Sequence, residues 1–186
     1  LTGDNSICTL RPVAPLLDGL TQLGASAISS KSDSHAPIIV KGPAKAGKIT
    51  VDGKDSQPVS ALLMLAAMLE GTTTIEVTNP GETPWIGMTL YWLKRMGVEF
   101  SNDNYHTYTV TGPNRFAAFE YTVPSDWSSA TFPIAAAVIT NSELTLEHVS
   151  FDDPQGDKQF VEVLEKMGAK FTRNRQTGTL HVHSHG

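Results

Sequence analysis

Leu93-Lys94-Arg95-Met96-Gly97 and Leu164-Glu165-Lys166-Met167-Gly168 are two copies of one helix ending, and Leu20-Thr21-Gln22-Leu23-Gly24 is a third. Glycine directly after the last apolar position of a helix marks its C-terminus, because it takes the left-handed conformation without a side-chain penalty. Gly24, Gly97 and Gly168 recur at a nearly constant interval. Upstream of each is an X-Pro pair, Arg11-Pro12, Thr83-Pro84 and Asp153-Pro154, and the prolines keep almost the same interval as the glycines. Proline suits the first helical position, where the N–H it lacks has no partner anyway. The pattern predicts three helices running from these prolines to these glycines. An alternating pair of strands follows each one, at 25–29 with 37–41, 98–101 with 105–111, and 169–173 with 179–183.

Working outward, the second and third copies carry an earlier half. Residues 48–52 and 119–123 alternate as strands, and helices rich in alanine and leucine follow at 58–69 and 128–140. Asp55 and Asp126, one repeat period apart, precede those helices and suit N-caps. Strands at 73–78 and 143–150 complete the halves. The unit reads β-α-β-α-β-β, twice in full, with the first copy joining at its second helix. The expected organisation is a half unit at 1–43 and a full unit at 47–118 in one globular domain. A crossover at 119–124 then leads to one unit of a second domain at 125–186. A repeat that opens in mid-unit, on Leu1 instead of Met, reads as part of a longer chain.

The 186 residues carry 14 Lys and Arg against 19 Asp and Glu, a formal charge of −5. That lacks the surplus of clustered cations that nucleic-acid phosphates require. At 40% hydrophobic and 18% charged residues the composition is that of a globular domain. One cysteine, Cys8, allows no internal disulfide. No basic segment followed by an apolar run opens the chain, and no apolar stretch is long enough to span a bilayer, so a cytoplasmic protein is expected.

Several segments resemble the enolpyruvyl transferases. They are Leu1-Thr2-Gly3-Asp4 with Arg11-Pro12 and Leu23-Gly24-Ala25, and Ser56-Gln57 ahead of Ala61-Leu62-Leu63-Met64. Asp126 with Ser128-Ser129-Ala130, and Gln155-Gly156-Asp157 ahead of Val163-Leu164-Glu165-Lys166-Met167-Gly168-Ala169, look like the EPSP synthase (3-phosphoshikimate 1-carboxyvinyltransferase) branch. The similarity runs along the whole chain. It implies an inside-out α/β architecture (α/β, α+β) of six βαβαββ units in two domains, with the site in the cleft between them and about two and a half units here. The implied reaction adds the 5-hydroxyl of shikimate 3-phosphate to phosphoenolpyruvate, in the shikimate pathway to aromatic amino acids. No metal or organic cofactor is implied. The partners are the two small-molecule substrates and the remaining segments of the same polypeptide, not nucleic acid or membrane.

The resemblance also assigns residues. Arg11 matches an arginine on the phosphoenolpyruvate side, and a cation at a helix start, against the helix dipole, fits a ligand role. Ser56 and Gln57 match the pair that holds shikimate 3-phosphate, where a hydroxyl, an amide and free N–H groups form an anion cradle. Trp85 stands where an aromatic ring lies near the shikimate ring, with Glu82 and Thr83 beside it. Two positions depart from the pattern: Asp55 and Glu82 replace serines, and carboxylates there repel a phosphate. Asp126 is a weaker candidate, for which an N-cap is the better reading. No catalytic residue is assigned, so this chain alone is expected to be inactive. The alternatives are a non-catalytic module of the same fold, or the branch acting on UDP-N-acetylglucosamine, whose catalytic cysteine Cys8 loosely resembles.

Two further patterns weigh less. Gly42-Pro43-Ala44-Lys45-Ala46-Gly47-Lys48 lacks the Ser or Thr of a P-loop and leads into a strand, not a helix. His181, His183 and His185 alternate on one strand face with no clear acidic or cysteine partner, which reads as chance, not as a zinc site.

Overall fold

The glycines that end the repeat all have positive φ, +88° at Gly24, +80° at Gly97 and +103° at Gly168. In the computed structural model, which describes residues 1–184, each helix end makes the same two bonds. The N–H groups of Gly24, Gly97 and Gly168 donate to Thr21, Lys94 and Glu165, and those of Ala25, Val98 and Ala169 donate to Leu20, Leu93 and Leu164. These bonds satisfy carbonyls that a helix end leaves open.

The elements run α1 (Asn5–Thr9), α2 (Ala14–Gln22), β1 (Ser26–Ser29), β2 (Ile38–Lys41), β3 (Lys48–Asp52), α3 (Ser56–Ala66), β4 (Gly71–Thr78) and α4 (Thr83–Arg95). They continue with β5 (Phe100–Asp103), β6 (Thr107–Gly112), α5 (Trp127–Ile139), β7 (Leu144–Leu146), a 3-10 turn at Gly156–Lys158, α6 (Gln159–Lys166), β8 (Phe171–Asn174) and β9 (Thr179–Val182). The strands form a hairpin β1-β2, a sheet ordered β3-β4-β6-β5 and a sheet ordered β7-β9-β8. The last order repeats β4-β6-β5 in the same antiparallel sense, so the sequence repeat is a repeat of topology. Among the described residues only β3 and β4 are parallel, with Lys48 opposite Thr74 and Asp52 opposite Thr78.

The chain divides into two compact units, Leu1–Ala117 and Ala118–Gly186. In the first, the apolar stripe of α3 (Val59, Leu62, Leu63, Ala66) and that of α4 (Ile86, Leu90, Leu93) cover Ile49, Val51, Ile75, Val77, Tyr108 and Val110. α2 lies against α3, where a Cβ on Gly19 would meet Leu62 at 2.6 Å. The Gln22 amide donates to the Thr50 carbonyl and accepts from the Thr50 N–H, both at 2.9 Å, which ties α2 to the edge of β3. The second unit packs Trp127, Ala130, Ile134 and Ala137 of α5 and Val161 and Leu164 of α6 on Leu180 and Val182.

Four expectations need correction. Helix α2 starts at Ala14, not Pro12, because the Val13 N–H donates to the Ser34 carbonyl (2.7 Å) and Pro15 takes the early helical position. The third helix starts at Gln159, not Pro154. There the Asp153 carboxylate accepts from the Gln155 N–H (2.8 Å) and Lys158 donates to the Asp153 carbonyl (2.6 Å), closing a turn. The strand expected at 143–150 stops at Leu146: His148 takes φ +57°, and the Val149 N–H donates to the Gly178 carbonyl. No strand forms at 119–123. Phe119 and Val123 are 56% and 79% exposed, and among the described residues no strand takes beside β7 the place that β3 takes beside β4. Alternation supplies faces for a strand but no ladder partner.

Among the described residues no helix is long and apolar enough to cross a membrane.

Candidate functional site

β3 and β4 run parallel, so α3 and α4 begin at the same sheet edge, the carboxyl end that open α/β sheets use for ligands. Two glycines let the connecting loops touch. The Gly53 N–H donates to the Thr78 carbonyl (2.7 Å), and the Gly81 N–H donates to the Gly53 carbonyl (2.8 Å). A Cβ on Gly53 would collide with Val77, and one on Gly81 would collide with the Lys54 carbonyl. The chain then turns through Glu82, whose φ is +47°, into α4.

This approach places Glu82 on the first turn of α3. Ser56 is 1% exposed, and its hydroxyl donates to Glu82 Oε2 at 2.8 Å. The Ser56 N–H donates to the same oxygen at 3.3 Å. Asp55 is the N-cap, its carboxylate accepting from the Gln57 N–H at 2.9 Å. The next residue, Pro58, has no N–H. The three opening positions of α3 therefore hold two backbone donors, and both are taken by carboxylates of this chain. The Gln57 side chain is exposed and makes no hydrogen bond among the described residues. Thr83 and Trp85 lie in the first turn of α4, with Trp85 36% exposed.

Arg11 is exposed in the coil between α1 and α2 and has no ion-pair or hydrogen-bond partner among the described residues. Asp126 belongs to the second unit, where it caps α5 by accepting from the Ser129 N–H at 2.7 Å. Hydrogen bonds from the Ser129 side chain and N–H hold its pKa below the usual carboxylate range.

The contact between Ser56 and Glu82 has a counterpart. In the second unit the Trp127 N–H, at the first position of α5, donates to Gln155 Oε1 at 2.8 Å. Trp127 opens α5 as Ser56 opens α3, and Gln155 stands close to one repeat period after Glu82. In both units a side chain from the loop before the second helix braces the start of the first. No local motif marks these braces, since the partners lie 26 and 28 residues apart. The shared repeat period was the one available signal.

The remaining candidates do not assemble. The Cys8 thiol, in α1, donates to the Gly3 carbonyl at 3.5 Å. Residues 42–47 run as coil into β3, with no helix to receive a phosphate. His181 and His183 bond to Thr145 and Thr172, both at 2.8 Å, and their rings sit edge to face at 4.5 Å. No group of three metal-ligating side chains gathers among the described residues, and His185 lies outside them.

The βαβαββ unit of β3 to β6, the recurrence of its αβαββ part in the second unit and the paired helix starts define a protein with the enolpyruvyl transferase fold. In support, an EPSP synthase from Acinetobacter baumannii superposes with a TM-score of 0.74 over 98% of this chain and 41% of its own, at 24% identity. A family profile described as EPSP synthase (3-phosphoshikimate 1-carboxyvinyltransferase) matches residues 1–185, and the chain belongs to that family. The 3-phosphoshikimate 1-carboxyvinyltransferase of Acetivibrio thermocellus is 39% identical over 91% of this chain and 40% of its own length. That of Methanosarcina acetivorans is 38% identical over 98% of this chain and 43% of its own. The chain thus spans about two fifths of these relatives.

Proposed function

We propose that this chain forms, within a longer polypeptide, one wall of the site that transfers the enolpyruvyl group of phosphoenolpyruvate to the 5-hydroxyl of shikimate 3-phosphate. The observation that carries this is the convergence of two helix starts, with Ser56, Gln57 and Trp85, at the carboxyl end of two parallel strands in a chain of this family. Ser56 and Gln57 hold the acceptor, and the Trp85 face packs on its ring. Arg11 grips an anionic group of phosphoenolpyruvate with its planar fork. Asp55, Glu82 and Thr83 shape the acceptor end, and Asp126 serves as a cap.

The groups that move protons lie outside this chain, so its isolated form turns over no substrate. Residues 119–124 act as the crossover between two domains and as a hinge for closure. The location is cytoplasmic. A second reading, a non-catalytic module of the same fold, is favoured by the two acidic replacements alone.

Trp85 is the reporter for the test. Shikimate 3-phosphate titrated into the chain should change its fluorescence saturably, and Ser56→Ala or Gln57→Ala should abolish the change. Equal responses in both variants and the unaltered chain would remove the acceptor site from α3.

A further inference from the structure

We propose that Glu82 sets the specificity of the acceptor site by holding a negative charge on the donors of Ser56, so that a phosphate must displace it to bind. This rests on the acceptor assignment above and deepens it.

Two observations separate the charge of Glu82 from its structural task. The first is the count of donors at the start of α3. The Ser56 hydroxyl and N–H both meet Glu82 Oε2, the Gln57 N–H meets Asp55, and Pro58 offers nothing. A phosphate reaching this turn finds two carboxylates and, among the described residues of the first turn of α3, no free backbone donor. To reach Ser56 it must break the bond to Glu82 and overcome like-charge repulsion. The second is the equivalent brace in the other unit, where the neutral amide of Gln155 caps the first N–H of α5. The fold needs an acceptor at this place, and an amide oxygen suffices. The charge of Glu82 is therefore surplus to bracing, and its consequence falls on the ligand. The carboxylate weakens the hold on a dianionic phosphate and leaves a neutral hydroxyl at the same place nearly unaffected.

The variant Glu82→Gln keeps the acceptor oxygen and removes the charge, as the other unit does naturally. Glu82→Ser shortens the side chain and clears the place. Shikimate 3-phosphate and unphosphorylated shikimate would be titrated into the chain and both variants, following the amide NMR signals of Ser56 and Gln57, which report millimolar affinities. Both variants should bind shikimate 3-phosphate about tenfold or more tightly than the unaltered chain, the low end for a hydrogen bond to a charged group. Shikimate affinity should move less than about twofold, because the hydroxyl it carries in place of the phosphate is neutral and can hydrogen-bond to a carboxylate or an amide alike. Amide spectra away from α3 and α4 should stay unchanged, which shows that both variants fold. Equal affinity of all three proteins for shikimate 3-phosphate, with Ser56 and Gln57 shifting in each, would overturn the role of Glu82 and leave the acceptor assignment standing. No shift at Ser56 or Gln57 in any of the three would overturn both. A parallel gain for shikimate would also overturn the proposal, since the effect would then be one of access instead of charge.

Discussion

At the scale of single residues, the carboxylates at helix starts are the clearest case of chemistry written in sequence. Asp55 and Asp126 read as caps from their position before Ala-rich helices, and both accept the expected N–H bonds. Asp126→Ala should cost the second unit about 1 kcal/mol, whereas Asp126→Asn should cost little, measured by denaturant unfolding with Trp127 as the probe. The acid limb of stability follows from the same groups. Asp126 and Glu165 both have lowered pKa values, the latter because the Arg173 guanidinium donates two hydrogen bonds to it, at 2.6 and 2.8 Å. A carboxylate whose folded pKa lies below its unfolded one contributes stability above the unfolded value. That contribution disappears as pH falls through the folded value. The second unit should thus lose stability below the ordinary carboxylate range, and Asp126→Asn with Arg173→Ala should flatten that loss. Tyr108 is a different case. It is fully buried, its hydroxyl has no hydrogen-bond partner among the described residues, and burial raises its pKa. Tyr108→Phe should leave stability unchanged or raise it by up to about 1 kcal/mol, since it removes an unsatisfied polar group. Neither Glu82 on Ser56 nor Gln155 on Trp127 was legible in the sequence. Each depends on how closely two loops approach, and a one-dimensional pattern does not carry that distance.

At the scale of elements, helix ends were legible and helix starts less so. A C-terminal glycine acts through its own φ, so Gly24, Gly97 and Gly168 fixed three endings locally. A Cβ at any of them would meet no atom within 4 Å, so the cost of substitution is conformational alone. Gly97→Ala should destabilise the first unit by about 1 kcal/mol without altering ligand binding. Gly81→Ala differs, because its Cβ would strike the Lys54 carbonyl and part the loops that join α3 to α4. By separating the starts of α3 and α4 it should disorder the proposed acceptor site, visible as a loss of the Trp85 response to shikimate 3-phosphate. Helix starts depend on distant acceptors. Pro12 satisfies the local rule, yet the Val13 N–H finds the Ser34 carbonyl and the helix waits until Ala14. Strands were legible where a partner existed. Residues 48–52 match β3, beside β4, whereas 119–123 alternate equally well and form no strand.

At the scale of the whole molecule, the repeat period carried the architecture, because each unit folds about its own helix pair and sheet. The cores of the two units are made of different residues, and 113–126, between β6 and α5, has no regular structure. Limited proteolysis should cut first within that segment and leave two protected pieces near the unit boundary, detected by mass spectrometry. The central claim is that α3 and α4 together hold the acceptor's phosphate end. A crystal structure of the chain soaked with shikimate 3-phosphate tests it most directly. The account predicts the phosphate within hydrogen-bond distance of Ser56 and Gln57, with the Glu82 carboxylate swung off Ser56 and the ring against Trp85. Phosphate bound elsewhere, or Glu82 still on Ser56 at saturating ligand, would contradict it.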